Sequence, residues 1–428
     1  METAAKLTAF SLAARVLEDQ LNAAHSHPAS SVPCLCCGAT ARFVDMRPKT
    51  ITSVLGELTL RRGYYYCAAC GRGFCPQDQA LGLDSSGLSP GVARMAVLVG
   101  ATTSFQEGAM LLRELAGLPV DAKQVERTAK RVGTAVAEDE VKHWEQAVPA
   151  SDVMYAGVDG TGIPMRPEEL ADHPGKSPDG TAKTREVKEC VVWTADSRDK
   201  EGNPTRDKGS VSYSAAIESS AWNDARPEET PPFAQRAQRE LTRRNFFQAK
   251  FQVIIGDGAR WIWNLVAMIA PLAIQIVDLF HAKEHLSEAA AIFFGAGTDL
   301  TRQWAADRHE ELEAGNIDAV LAALEGFRDI PGEKGAQATR EYEYFFSNRS
   351  RMDYAKLRAM GFCVGSGVVE AGCRTVIGQR FKCSGMFWSE QGANTLLALR
   401  CSILSNRFDK VWQRIKATKD QGVAHGRS

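Results

Sequence analysis

Two aspartates that each follow a short apolar run are the residues best placed for chemistry in this chain. The β-branched run Val253–Ile255 leads through a glycine to Asp257, and the apolar run Val153–Val158 leads into Asp159. Open α/β sheets carry their reactive groups at the carboxyl ends of strands, so we expect both aspartates to face one sheet edge. Asp-Gly is also ordinary turn chemistry, and either aspartate alone would be ambiguous.

A third acid, Glu370, ends a Gly-Ser-Gly-Val-Val-Glu stretch whose small residues lead into a helix. Converging carboxylates are hard oxygen ligands for Mg²⁺ or Mn²⁺. Two such ions about 3.5–4 Å apart stabilise both the attacking and the leaving oxygens of a phosphodiester reaction. We therefore predict that Asp159, Asp257 and Glu370 bind two metal ions and carry out phosphodiester chemistry.

Two C-x-x-C pairs with hairpin-like sequence between them predict a zinc ribbon in residues 31–80. The expected ligands are Cys34, Cys37, Cys67 and Cys70. Zn²⁺ takes four thiolates in tetrahedral geometry, and a site filled by four protein ligands is structural. Cys36 or Cys75 could replace one of the four, and unligated buried thiols are the alternative.

The pattern of apolar residues predicts an α/β core in residues 151–281. Strands are expected over 153–158, 185–193, 210–217, 253–255 and 274–277, a polar loop over 166–183, and helices over 232–248 and 261–270. Three strands, a helix, a strand, a helix and a strand is the order of an RNase H-like sheet, in which the first and fourth strands are neighbours. Residues 282–360 have a helical pattern and form an insertion between this core and Glu370.

Helical patterns also dominate most of the amino-terminal third. Residues 1–30 predict one amphipathic helix, suited to packing or to dimerisation. Residues 88–150 predict helices over 89–102, 104–116 and 121–136, with Ser104 and Asp121 as caps. This region resembles a helix-turn-helix whose last helix enters a DNA major groove, although a plain three-helix unit would have the same pattern. The basic residues of that last helix are Lys123, Arg127, Lys130 and Arg131.

Charge and cysteine usage limit where the protein works and what it binds. The formal net charge of −1 excludes a uniformly basic protein, but a local excess can still bind nucleic acid. Basic residues outnumber acidic ones after residue 370, and the expected DNA contacts there are Arg374, Arg380, Lys382, Arg407 and Arg414. Trp388 could stack on an unpaired base or belong to the core. No secretory signal or membrane span is evident, and eleven cysteines then indicate a reducing, cytoplasmic location.

Several motifs together resemble the DDE transposases of bacterial insertion sequences, and the nearest group looks like the ISKra type, related to Mutator-like transposases. The motifs are the C-x-x-C pairs, Gly157–Thr161, Ile255–Ala259, Asp278–Leu286 and the segment from Glu370 to Trp388. The resemblance covers roughly residues 30–405 and implies Asp159, Asp257 and Glu370 as the metal-binding triad. Asp278 and His281 match a C/D-x-x-H signature of related transposases, as accessory residues. A helix-capping aspartate with a solvated histidine is the alternative.

The expected protein is an insertion-sequence transposase that binds double-stranded DNA at the element ends, cuts it and joins it to target DNA, as a homodimer or larger oligomer. The alternatives are an RNase H-like nuclease or resolvase that does not join, and a domesticated non-catalytic DNA-binding regulator. The predicted segments are 1–30, 31–80, 88–150, 151–281, 282–360, 361–405 with Glu370, and a basic tail 406–428.

Overall fold

This computed structural model of the chain describes residues 1–24, 26–83, 87–143, 151–171, 183–222, 226 and 228–421. Parts of four predicted segments, residues 25, 144–150, 172–182, 223–225, 227 and 422–428, therefore lie outside the described residues. The chain forms two compact units: unit 1 comprises Met1–Glu140 and Ala398–Ser428, and unit 2 comprises Val141–Leu397. The seven-segment division drawn from the sequence stays a prediction.

The amino-terminal part of unit 1 begins with a helix packed on an antiparallel sheet. The elements are α1 (Glu2–Ala23), β1 (Ser31–Pro33), β2 (Thr40–Ser53), β3 (Gly56–Cys67) and β4 (Arg72–Phe74), with strand order β1-β2-β3-β4. Ala14 of α1 is buried with Ile51, Leu58 and Leu60 of the sheet. The Asn22 side chain also bonds the backbone of β3. Helix α1 thus packs on its own sheet.

Four helices follow, and three of them match the predicted positions. They are α2 (Pro76–Ala80), α3 (Pro90–Thr102), α4 (Phe105–Ala116) and α5 (Ala122–Lys142). Ser104 and Glu107 form the predicted capping box of α4. Asp121 accepts a hydrogen bond from the Gln124 backbone N–H at 2.8 Å and so caps α5. Helix α5 runs to Lys142, six residues beyond the predicted end.

Unit 2 is built on a five-stranded mixed sheet. Its strands are β5 (Val153–Pro164), β6 (Thr184–Trp193), β9 (Ser212–Ala216), β10 (Phe251–Gly256) and β11 (Ile274–Val277), in the order β11-β10-β5-β6-β9. Strands β10 and β11 run parallel to β5, whereas β6 and β9 are antiparallel. The prediction that the first and fourth strands are neighbours is confirmed. A small hairpin, β7 (Ser197–Arg198) with β8 (Pro204–Thr205), was not predicted.

Helices cover the sheet of unit 2, and several of them lie in the sequence between the last strand and Glu370. They are α6 (Pro232–Arg243), α7 (Arg260–Ile269), α8 (Leu279–Phe294), α9 (Asp299–Glu313), α10 (Ile317–Arg328), α11 (Glu333–Asn348), α12 (Tyr354–Ala359), α13 (Gly367–Gly372), α14 (Gln379–Phe381) and the first part of α15 (Glu390–Leu404), whose residues from Ala398 onward belong to unit 1. A π-helical turn, Cys373–Gly378, joins α13 to α14. The predicted helix 232–248 ends early because Asn245 takes a left-handed conformation, with φ of 57°.

The last helix, α16 (Phe408–Gln421), lies within the predicted basic tail and belongs to unit 1. Its Phe408, Val411 and Trp412 side chains are buried. Two arginines tie this region to α5: Arg414 bonds both oxygens of Asp139, at 2.9 and 2.6 Å, and Arg407 bonds Glu140 at 3.1 Å. Among the helices of the described ranges, none has the length and hydropathy of a bilayer-crossing segment.

Candidate active site

The two aspartates reach the same edge of the sheet in unit 2. Gly157 of β5 is in register with Ile255 of β10, so Asp159 and Asp257, each two residues further on, lie at matching positions. Asp257 sits in the turn after β10, where its Oδ1 accepts a hydrogen bond from the Ala259 N–H at 2.8 Å. Burial raises the pKa of Asp159, and the negative charge of Asp257 adds to the effect.

Asp159 is not at a strand end, as the Asp-Gly sequence suggested. Strand β5 continues to Pro164 because β6 pairs with it over the whole interval from Tyr155 to Pro164. Pairing with β10 stops at Gly157, however, so β5 extends beyond its parallel neighbour at this point. The backbone of Asp159 is therefore held by the β6 ladder on one side, whereas on the other side it lies beyond the last residue that pairs with β10.

Glu370 lies on helix α13, which packs on β5. A Cβ atom added to Gly157 would lie 2.1 Å from a methyl of Val369, so only glycine allows this contact. The Glu370 side chain itself is exposed. Apart from the four cysteines, no three His, Cys, Asp or Glu side chains in the described ranges bring ligand atoms within 4.8 Å of one another. The acids are thus on adjacent elements but are not gathered into a finished coordination sphere.

Asp278 caps helix α8, as the capping alternative predicted. Its Oδ1 accepts from the backbone N–H groups of Phe280 and His281, at 2.7 and 3.0 Å, and its Oδ2 accepts from the Ser366 N–H. Ser366 lies immediately before α13. Asp278 therefore joins the start of α8 to the segment that carries Glu370, while His281 remains partly exposed nearby.

Helix α11 donates two hydrogen bonds to the turn that contains Asp257. The Tyr344 hydroxyl donates to the Asp257 backbone carbonyl at 2.7 Å, and the Asn348 amide donates to the Gly258 carbonyl at 3.1 Å. Gly258 has a φ of 96°, and a Cβ there would lie 2.6 Å from the Tyr344 ring. We call Tyr344 and Asn348 the turn clamp. Sequence reasoning missed it, because contacts across the helical insertion leave no local signal.

A pair of histidines lies beside the clamp. The His285 ring stacks on Tyr344 with centroids 4.1 Å apart and meets His281 edge-on at 4.9 Å. His285 Nδ1 lies 2.8 Å from a carboxylate oxygen of Glu341. Burial lowers the pKa of His285, but the hydrogen bond and charge of Glu341 outweigh burial, so the pKa is raised. The imidazole of His285 therefore takes up a proton more readily than a free histidine would.

The basic residues predicted to contact DNA in unit 2 divide into two groups. Arg374 is exposed, and the exposed Lys382 bonds the Thr161 hydroxyl, two residues from Asp159. Arg380 is only 1 % exposed and lies over the Trp388 ring, 5.0 Å from its centroid. Trp388 is 7 % exposed, and its indole N–H donates to the Phe381 carbonyl. Arg380 and Trp388 are core residues, so DNA contact by Arg380 and base stacking by Trp388 are corrected.

The four predicted cysteines of unit 1 come together. All their sulfur atoms lie within 4.8 Å of one another, and the Cys34–Cys70 and Cys37–Cys67 pairs are each 3.6 Å apart. Backbone N–H groups of Cys37 and Cys36 lower the pKa of the Cys34 thiol to about 6. Cys36 and Cys75 are outside the cluster. Four thiols in this arrangement could hold a structural zinc ion.

The predicted DNA contacts of unit 1 also separate by their surroundings. Lys123, Arg127 and Arg131 are exposed and four residues apart, which places them along one face of α5. Lys130 is ion-paired with Glu126 at 2.6 Å. Arg407 and Arg414 bond the buried acids Glu140 and Asp139, which gives both arginines a structural role, and their contact with DNA stays a prediction.

Comparison with known proteins yields weak structural similarity. No family model matches this chain, and no curated protein matches it. A solved structure described as a Drosophila P element transposase strand transfer complex is similar over 80 % of this chain and 84 % of that chain, with 9 % sequence identity and a TM-score of 0.27. A TM-score this low does not establish a shared fold. We therefore base the functional proposal on the residues of this chain.

Proposed function

We propose that this protein is a metal-dependent DNA transposase of the DDE type, with an RNase H-like core in unit 2. The observation that carries the proposal is the placement of Asp159 and Asp257 at matching positions of two adjacent parallel strands. The sheet order β11-β10-β5-β6-β9 supports the RNase H-like assignment. Helix α13, which carries the third acid, Glu370, packs on β5 through Val369.

Asp159, Asp257 and Glu370 are the residues that would hold two Mg²⁺ or Mn²⁺ ions, because carboxylates are the ligands these ions prefer. When bound, the ions supply a lowered pKa for the attacking water and charge stabilisation at the phosphate. The other residues of the protein hold the proposed metal ligands in position. The turn clamp fixes the Asp257 backbone, and the Asp278 cap fixes the entry to α13. Arg374 and Lys382 are exposed cations suited to DNA phosphates.

Unit 1 would recognise the element ends. The four-cysteine cluster stabilises the small sheet when zinc is bound, and the exposed stripe Lys123, Arg127 and Arg131 presents three positive charges along one helix face. Such a stripe suits a phosphate backbone or a major groove. Joining two ends requires synapsis, so we propose a homodimer or a larger assembly on DNA. The assignment to the ISKra type belongs to this proposal.

The test is cleavage and joining of DNA that carries the ends of the element encoding the protein. With Mg²⁺ or Mn²⁺, the wild type should nick at the element boundary and join the freed 3′ end to supercoiled DNA. Asp159→Asn, Asp257→Asn and Glu370→Gln should each abolish both products while end binding persists. Glu343→Gln, which removes an exposed charge from α11, is the matched control and should remain active.

The products also separate the alternatives. Nicking without any joined product would identify a nuclease or resolvase. Binding without nicking, in the wild type and in all three variants alike, would identify a non-catalytic regulator and overturn the proposal.

A further inference from the structure

A fourth acid lies directly beside Asp159. Glu189 of β6 is the antiparallel register partner of Asp159. Residues opposite each other in such a ladder project from the same face, with Cβ atoms roughly 4.5–5.5 Å apart. Glu189 is 0 % exposed, and neither of its carboxylate oxygens has a hydrogen-bond partner in the part of the chain that the structure describes.

Helix α13 and the π-helical turn after it close over this acid. A Cβ at Gly372 would lie 2.7 Å from Glu189 Oε2, so the helix backbone approaches the carboxylate directly. Cys373, the next residue, donates its thiol hydrogen to Asp159 Oδ2 at 3.2 Å. Burial and the two carboxylates raise the pKa of the Cys373 thiol, which keeps it a donor. Asp159 and Glu189 therefore lie side by side under the helix that also carries Glu370, whose own side chain is exposed.

A buried carboxylate without a partner is costly, and proteins offset that cost with a proton, a hydrogen-bond donor or a cation. Burial raises the pKa of Glu189 to about 8, the Cys373 thiol lowers it, and the charged group that acts on Glu189 is another acid, Asp159. No arginine or lysine of the described residues forms an ion pair with it within 4.0 Å. An acidic, desolvated space of this kind favours a divalent cation.

We infer that Glu189 is a further metal ligand, which binds from the sheet side the ion that Asp159 holds. This inference rests on the proposed function, because it deepens the same metal centre. Metal binding also explains why a buried glutamate directly precedes the apolar run Cys190 to Trp193 in strand β6. The alternative is a neutral carboxylic acid with a packing role only.

Metal binding without DNA distinguishes the two. Mn²⁺ titrations of the full-length protein, followed by calorimetry and by the electron paramagnetic resonance of free Mn²⁺, should give at least about tenfold weaker binding for Glu189→Gln than for the wild type. Asp159→Asn should weaken binding as well. The matched control is Glu186→Gln on the same strand, since Glu186 lies against Gly160 on the opposite face of the sheet and pairs with Lys188.

Thermal unfolding gives a second readout. Without metal, Glu189→Gln and Glu189→Met should be at least as stable as the wild type, because each removes a buried carboxyl group whose ionisation is costly. Added Mn²⁺ should raise the wild-type Tm and leave the Tm of both variants nearly unchanged. Either variant alone suffices if the other does not fold.

Three results would overturn the inference, and they separate it from the proposed function. If Asp159→Asn loses Mn²⁺ binding and folded Glu189→Gln keeps wild-type affinity, only the role of Glu189 fails. If Glu186→Gln weakens Mn²⁺ binding as much as Glu189→Gln, the effect belongs to the strand and not to the ligand. If the wild type binds no Mn²⁺, the inference and the proposed function fail together.

Discussion

Removing one hydroxyl from the turn clamp should slow DNA cleavage far more than it destabilises the protein. In Tyr344→Phe the phenol no longer donates to the Asp257 carbonyl, a bond of 2.7 Å. A single hydrogen bond of this kind contributes about 0.5–1.5 kcal/mol to stability, and for a domain of this size 1 kcal/mol shifts the Tm by roughly 2–4 °C. The ring, its stacking on His285 and the Gly258 contact all remain.

The effect on rate is larger because the bond holds the backbone of a proposed metal ligand. Loss of an outer group that orients a metal ligand typically costs about 10- to 100-fold in metal affinity or activity. We therefore expect Tyr344→Phe to lower the single-turnover cleavage rate by about 10- to 100-fold, with part of the loss recovered at high Mn²⁺. Binding to the element ends should not change.

Tyr342→Phe is the matched control for this prediction. Tyr342 lies on the same helix two residues away, and its ring contacts Phe346 and Arg328 rather than the Asp257 turn. Its variant should cleave at the wild-type rate. The reasoning is refuted if Tyr344→Phe also cleaves at that rate, or if the two variants lose rate equally.

Three further predictions concern metal, stability and charge. Removal of metal by a chelator should unfold the sheet that holds the four cysteines and abolish end binding. Cys37→Ser should have the same effect and Cys36→Ser should not, as measured by zinc analysis and circular dichroism. Arg414→Ala removes the two hydrogen bonds that Arg414 donates to the buried Asp139, so it should lower the free energy of unfolding in urea by about 1–3 kcal/mol. Lys410→Ala should lower it little, and an equal loss in both variants would contradict a structural role for Arg414. Replacing Arg374 and Lys382 with alanine should weaken binding to all DNA sequences alike and reduce the salt slope by up to about 2, and an unchanged slope would exclude phosphate contact.

Local patterns carried much of the fold. The β-branched run before Asp257 and the glycines around it place β10 and its turn correctly, since strand propensity and a break in apolar sequence act over a few residues. The capping box of α4 and the Asp121 cap of α5 were predicted for the same reason. The C-x-x-C spacing predicted which sulfur atoms meet, because each pair is held by one tight turn.

Features that depend on distant partners were not predictable. Asp159-Gly160 reads as a turn, yet it stays in β5 because β6 pairs alongside it. Arg380 and Arg414 have the same residue type as exposed DNA contacts, and only their neighbours, Trp388 and Asp139, reveal that they are structural. Glu189 sits in a strand whose charged residues would normally face solvent. Its burial follows from α13, which closes over it from much later in the chain.

The return of α16 to unit 1 affects the order in which the protein can fold as it is synthesised. Asp139 and Glu140 emerge from the ribosome early, while Arg414 and Arg407, which neutralise them, emerge only after the whole of unit 2. Until those arginines are made, the carboxylates of Asp139 and Glu140 lack these partners, and the apolar residues Phe408 and Trp412, which are buried in the folded unit, are also still to come. The DNA recognition that we propose for unit 1 would then become available only to chains in which unit 2 has already been made. A chaperone is most useful to this protein during that interval.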